Sequence, residues 1–142
     1  MITRSKIINT RTNKVYNFFL DFKNIPLLFN HISAITDYNN LECCKIGKKY
    51  AEETKNLLGL KRIVIVELYS VNKPNYIIYR TNHWFSKHEV CVDFKAVSAS
   101  KTKVSITFIF KKNLWLGQLF LLRKIFQNRL DTALTALEIL YE

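Results

Sequence analysis

KTKVSITFIFKKNLWLGQLFLLRKIFQNRLDTALTALEILY, residues 101–141, joins two periodicities in one stretch. Val104, Ile106, Phe108 and Phe110 alternate with Lys103, Ser105 and Thr107, the period-two pattern of a strand with one apolar face. Straight after it, Leu119, Leu122, Phe126, Leu130, Ala133, Leu137 and Leu140 recur at three- and four-residue steps. That spacing predicts an amphipathic helix over Leu114–Tyr141. At about 1.5 Å per residue such a helix is about 42 Å long and crosses a domain of this size. A small sheet gripping one long helix is a way to enclose a hydrophobic pocket, so the stretch points to a container before it points to a reaction.

Working outward, the preceding segment repeats the strand signal. His88, Val90, Val92, Phe94 and Ala96 alternate with Glu89, Cys91, Asp93 and Lys95. Tyr76–Asn82, the β-branched Leu60–Ser70, a weak polar strand over Lys48–Asn56, and Ile32–Tyr38 complete a run of strands with short links. Consecutive strands joined in this way form an antiparallel meander. Ahead of them, Ile2–Thr10 reads as a first strand. Thr12 is the expected N-cap of a helix over Asn13–Leu20 that buries Val15, Phe18 and Phe19. Asn24-Ile25-Pro26 opens a second short helix, with proline in its first turn.

The whole chain, residues 1–142, is expected to be one domain, with 49% hydrophobic residues to build a core. Ten Phe and seven Tyr suit either a packed core or the lining of an apolar pocket. The net charge is +11, spread along the chain, which favours anionic partners or is simply a solvated surface. Cys43, Cys44 and Cys91 suit a reducing cytoplasm, and the N-terminal MITRSKIINTR lacks the apolar core of a secretion signal. The greasiest run, Leu114–Leu122, is too short for a membrane span, which needs about 20 residues.

RSKIINTRTNKVYNFFLDFKNIPLLFNHI, residues 4–32, resembles the opening of the START-like, or SRPBCC, superfamily, with Val15-Tyr16, Asp21 and Pro26 at the matching places. IIYRTN, HEVCVDFKAVSASKTKVSITFIF and the terminal helix resemble the end of its polyketide-cyclase-like and lipid-transport-like members. The resemblance covers nearly the whole chain through pattern and element order. It implies an α+β helix-grip fold: a curved antiparallel sheet of six to seven strands around a long C-terminal helix, with two short helices after the first strand. It further implies a hydrophobic ligand such as a lipid, isoprenoid, quinone or polyketide. Two departures stand out. Ser100-Lys101-Thr102 occupies the turn where members often carry Gly-Thr, and Leu114–Leu122 is unusually apolar.

The cavity candidates are Val92, Phe94, Ile106 and Phe108 from the sheet with Phe126 and Leu130 from the helix, all of which a filled core would also use. Tyr50 and Tyr79 are candidate hydroxyl donors. Arg80 faces inward as an anion clamp if it shares a face with Tyr76 and Ile78, and is a surface arginine if the phase is reversed. Glu67 poses the same alternative. Trp115, Leu116, Leu119 and Phe120, set between Lys111-Lys112 and Arg123-Lys124, suit a lid or an anionic membrane surface, or else pack on the sheet.

His31, His83, His88 and the cysteines form neither C-x-x-C nor H-E-x-x-H, so no metal is expected. No nucleophile motif, phosphate-binding glycine loop or nucleic-acid recognition motif is present, and three glycines scarcely allow the loop. The expected partner is a hydrophobic small molecule, held without a cofactor. An acid–base cyclase or dehydratase is the enzyme alternative, and a basic interaction module for a protein, RNA or membrane is a third class. Polar groups converging in the cavity would favour the enzyme; a wholly apolar lining would favour carriage.

Overall fold

The computed structural model describes residues 1–55, 59–82, 87–110 and 116–142, and for Asn82 and residues 116–119 the backbone only. The elements run β1 (Ile2–Ile8), α1 (Thr12–Leu20), a 3-10 turn (Phe22–Asn24), α2 (Ile25–Leu28), β2 (Ile32–Asp37), β3 (Lys49–Lys55), β4 (Lys61–Asn72), β5 (Tyr76–Asn82), β6 (Lys87–Ser98), β7 (Lys101–Phe110) and α3 (Leu116–Leu140). The seven strands form one antiparallel sheet in the order β1-β7-β6-β5-β4-β3-β2. The chain therefore starts at one edge, crosses through α1 and α2 to the other, and meanders back until β7 pairs with β1.

Register shifts in β2, in β4 and between Ala96 and Ser98 of β6 mark bulges. Bulges bend their strands and increase the local twist, which helps the sheet curl around α3. The helix runs along β1 and rests on α2. Arg4 pairs with Asp131 and Lys6 with Glu138, so α3 runs in the same direction as β1. Leu130, Ala133, Leu134 and Leu137 form its buried stripe. Leu134 joins this stripe and Leu140 does not, being 50% exposed in the last turn.

Thr12 does not cap α1. Arg11 occupies the cap position without a side-chain bond, and the Thr12 hydroxyl meets that of Thr102 at 3.1 Å. Thr102, fully buried, in turn donates to the Thr10 carbonyl at 2.8 Å. The hydroxyl expected to serve its own helix thus ties α1 to the start of β7. Tyr16, rather than Phe18, joins Val15 and Phe19 on the buried face, with its ring edge-on to Phe94 at 5.5 Å. Phe18 is half-buried against Tyr141.

Ahead of β3, the Lys48 ammonium is buried and bonded to Asp37 Oδ2 at 2.5 Å and to the Leu41 carbonyl at 2.7 Å. A buried cation is tolerated only with partners of this kind. The contact also holds the Asp37 carboxyl below its ordinary range, chiefly through the Lys48 hydrogen bond. Phe22 lies under the same ammonium and stacks on Tyr50 at 5.1 Å, so this corner fixes where Tyr50 points.

Candidate functional site

Because side chains alternate along a strand, the sheet register sets which residues share its concave face. One row crosses five strands with each residue directly opposite the next: Tyr50, Val66, Thr81, His88 and Phe110. A second row holds Leu68, Tyr79, Val90 and Phe108, and a third Ile77, Val92 and Ile106. Phe19, Ile25, Phe29, His31 and Ile32 face these rows from α1, α2 and the approach to β2. Between the two sets lies a cavity of about 90 Å³. One water needs roughly 10–15 Å³ of such space, so the cavity admits several waters or a small organic molecule.

The walls are mostly aliphatic and aromatic, with a few polar groups among them. Glu52, two residues beyond Tyr50 on the same face of β3, reaches the cavity from the rim of the apolar rows. Desolvation pushes its carboxyl from the ordinary 4.5 up to about 7. His31 is pushed the other way, from 6.5 down to about 4, first by burial and then by the charge of Arg129 on α3. Its Nδ1 is buried without a hydrogen-bond partner among the described residues. Thr81 Oγ1 lies 3.0 Å from His88 Nδ1. The Tyr79 hydroxyl donates to the Phe19 carbonyl, a bond between β5 and α1. Burial raises both Tyr79 and Tyr50, so both remain neutral phenols.

Of the sequence candidates, Tyr50, Tyr79, Val92, Ile106 and Phe108 line the cavity. Phe94 does not; it is wedged between Tyr16 and Phe19 in the core below. Phe126 packs behind the wall on Phe108 and Phe110 at 5.0 and 5.1 Å, and Leu130 is fully buried in the helix stripe. Arg80 takes the outer phase. Its guanidinium pairs with Glu89 at 2.9 Å and lies 3.4 Å over the Tyr69 ring. Glu67 stands opposite Arg80 on the same outer face, between Arg80 and Lys49. Trp115 and His83 lie outside the described residues, and Leu116 and Leu119 have backbone only. Phe120 is 83% exposed.

Reading along the chain misses Glu52, His31, Thr81 and His88 as cavity residues, though three of them carry a signal. Glu52 is two residues from Tyr50, Thr81 two from Tyr79, and His88 two from Val90, so each shares a face with a residue that already pointed inward. Among the described residues no group of three or more His, Cys, Asp or Glu side chains is placed to hold a metal. No helix among them is long and apolar enough to cross a membrane.

A curled antiparallel sheet, a long C-terminal helix laid along it and a polar-studded apolar cavity beneath α1 and α2 define the helix-grip class of ligand-cavity folds. Within it, the chain has a START-like, or SRPBCC-like, fold. A START superfamily protein from Mycobacterium smegmatis superposes with a TM-score of 0.73 at 14% identity, over 99% of this chain and 95% of that one. XoxI from Bacillus cereus gives 0.74 at 14% identity, over 99% and 96%. The di-domain ARO/CYC StfQ from the steffimycin biosynthetic pathway gives 0.74 at 10% identity, over 99% of this chain and 50% of that chain. At these identities the likeness is one of fold. No family model and no curated protein matches the sequence.

Proposed function

We propose that the protein binds a small, largely apolar molecule in the cavity between its sheet and helices. The observation that carries this reading is the cavity itself, walled by Phe19, Phe29, Tyr50, Val90, Ile106 and Phe108, with Glu52 as its acidic group. Apolar burial would supply the affinity, at about 25 cal/mol per Å² before ordering costs. One observation favours a second reading, acid–base chemistry of the cyclase or dehydratase type. Glu52, pushed up to about 7, holds its proton near neutral pH yet can release it, and neutral His31 lines the same space.

Native mass spectrometry of protein purified without detergent, followed by solvent extraction, separates the two. A stoichiometric compound recovered unchanged after incubation supports carriage. A cyclisable polyketide-like compound returned one water lighter supports chemistry. A clean apo mass with no binding to a lipid, quinone and aromatic panel would sink both.

Entry from an anionic lipid surface completes the proposal. Lys55, Lys61, Lys87 and Phe110 mark one end of the sheet, as the pairs Lys55–Lys61 and His88–Phe110 show. Phe126 rests on Phe110, and Phe120 lies six residues nearer the helix start, about 9 Å further along α3 and past that end. There Phe120 and Leu121 are 83% and 64% exposed beside the exposed Arg123 and Lys124. Leu60 and Ile63 are 62% and 64% exposed beside Lys61 and Arg62, with Glu53 paired to Lys61. Apolar tips set among cations suit anionic headgroups. The protein is expected to sediment with phosphatidylglycerol vesicles and to remain in solution with phosphatidylcholine vesicles. Phe120→Glu should abolish sedimentation; equal sedimentation of variant and parent would remove this face from the proposal.

A further inference from the structure

Glu52 is the only acidic residue in the described wall of the cavity. No hydrogen bond or ion pair reaches its carboxyl among the described residues, and desolvation alone displaces its titration. The rings of Phe19, Phe29, Tyr50, Tyr79 and Phe108 line the same cavity. We infer that the ligand is a hydrophobic amine, its ammonium seated on the Glu52 carboxylate and against these aromatic faces. The inference rests on the ligand-binding reading above and names the class of molecule that reading leaves open.

A carboxylate without a counter-charge in an apolar wall is costly, and the empty protein meets that cost by keeping the proton. A neutral alcohol would offer one hydrogen bond and no charge. A carboxylic acid would set a second like charge beside the first. An ammonium supplies both charge and several donors, and aromatic faces attract cations most strongly where water is excluded. The other titratable or polar groups near the cavity do not compete for Glu52. Tyr79 donates to Phe19, Thr81 and His88 are bonded to each other, and Tyr50 is an uncharged phenol on the same strand. Arg129, one of the cations of α3, bears on His31, whose imidazole stays neutral. The +11 exterior repels free amines. Selectivity therefore resides in the cavity rather than in long-range steering, and added salt should speed association rather than slow it.

Calorimetric titration with three matched indoles tests this: tryptamine, tryptophol and indole-3-propionate, on the whole protein at about pH 8 and about pH 5.5. At the higher pH tryptamine is expected to bind roughly tenfold tighter than tryptophol. That preference should shrink at the lower pH, where Glu52 is protonated and the amine remains charged. Glu52→Gln should bring the two ligands within about twofold of each other, and a urea midpoint no lower than the parent's shows that the variant is folded. Tryptophol binding as tightly as tryptamine would overturn the inference and leave the cavity reading standing. So would tightest binding by the propionate, which would transfer the anchor to Arg129 and His31. If none of the three binds, the amine inference falls, while the cavity reading is decided separately by the lipid, quinone and aromatic panel.

Discussion

Val90→Trp is expected to abolish ligand uptake while the protein stays folded. Val90 lies in the middle row of the concave face, directly opposite Tyr79 on one side and Phe108 on the other. It is half-buried because its side chain borders the cavity. An indole placed there enters existing space, which is why the site is preferable to Phe94, where Tyr16 and Phe19 already press on the ring. Overpacking a filled core costs about 1–3 kcal/mol, and a cavity position lies at the low end of that range. A ligand that loses ~100–150 Å² of apolar contact loses roughly 3 kcal/mol at 25 cal/mol per Å², on the order of 100-fold in affinity. Val97→Trp, at the exposed end of the same strand, is the control and should bind as the parent does. Titration of all three proteins with one ligand, alongside their urea midpoints, decides the matter. Parental affinity in Val90→Trp would place the ligand elsewhere.

The second large effect concerns stability against pH, where Glu52 and His31 oppose each other. His31 titrates at about 4 when folded and at 6.5 ordinarily. Between those values the unfolded chain binds more protons, so this residue makes stability rise with pH. Glu52 titrates at about 7 when folded against an ordinary 4.5. Between those values the folded protein binds more protons, so this residue makes stability fall with pH. Each displacement is about 2.5 units, worth about 3 kcal/mol, and the slopes cancel from about pH 4.5 to 6.5. The parent protein should therefore be nearly level across that window. Glu52→Gln should gain about 3 kcal/mol between about pH 4 and 6.5, and His31→Gln should lose about as much between about pH 4.5 and 7. Asp37 and Glu53, whose carboxyls are held low by lysine partners, lose their contribution only below their ordinary range and do not disturb the window. Urea midpoints taken across this range provide the test. If Glu52→Gln ran parallel to the parent, the carboxyl would not be desolvated as the fold places it.

Much of this molecule is legible along the chain, because its periodicities are strong where they matter. The alternation from His88 to Ala96 and from Val104 to Phe110 gives the concave face of β6 and β7 directly, His88 included. The helical stripe through Leu130, Ala133 and Leu137 identifies α3, although it omits the buried Leu134 and includes the exposed Leu140. Strand β5 is different. Tyr76, Ile78, Ile77 and Tyr79 put apolar or aromatic groups on both faces, so period two cannot say which is inward. The Tyr79 bond to Phe19 and the Thr81 contact with His88 settle the phase, and Arg80 follows to the outside. In β3 only Tyr50 and Ala51 of Lys49–Lys55 are apolar, so the spacing from Tyr50 gives the face of Glu52 but not its desolvation. Its desolvation comes from the cavity it shares with Phe19, Ile25, Phe29 and Val66, all more than ten residues away in the chain.

Element order, the long terminal helix, the antiparallel meander and the supply of aromatic residues follow from the sequence by itself, since each depends on spacing within one segment. The tertiary structure alone decided that a cavity persists beneath α1 and α2, and that Glu52, His31, Thr81 and His88 share it. It alone turned Arg80 and Glu67 outward and buried the Lys48 ammonium on Asp37. The physical reason is that desolvation and hydrogen-bond satisfaction are sums over neighbours from distant parts of the chain. A side chain's own position in a strand fixes its direction, and only the packed neighbours fix its surroundings, its charge and its chemistry.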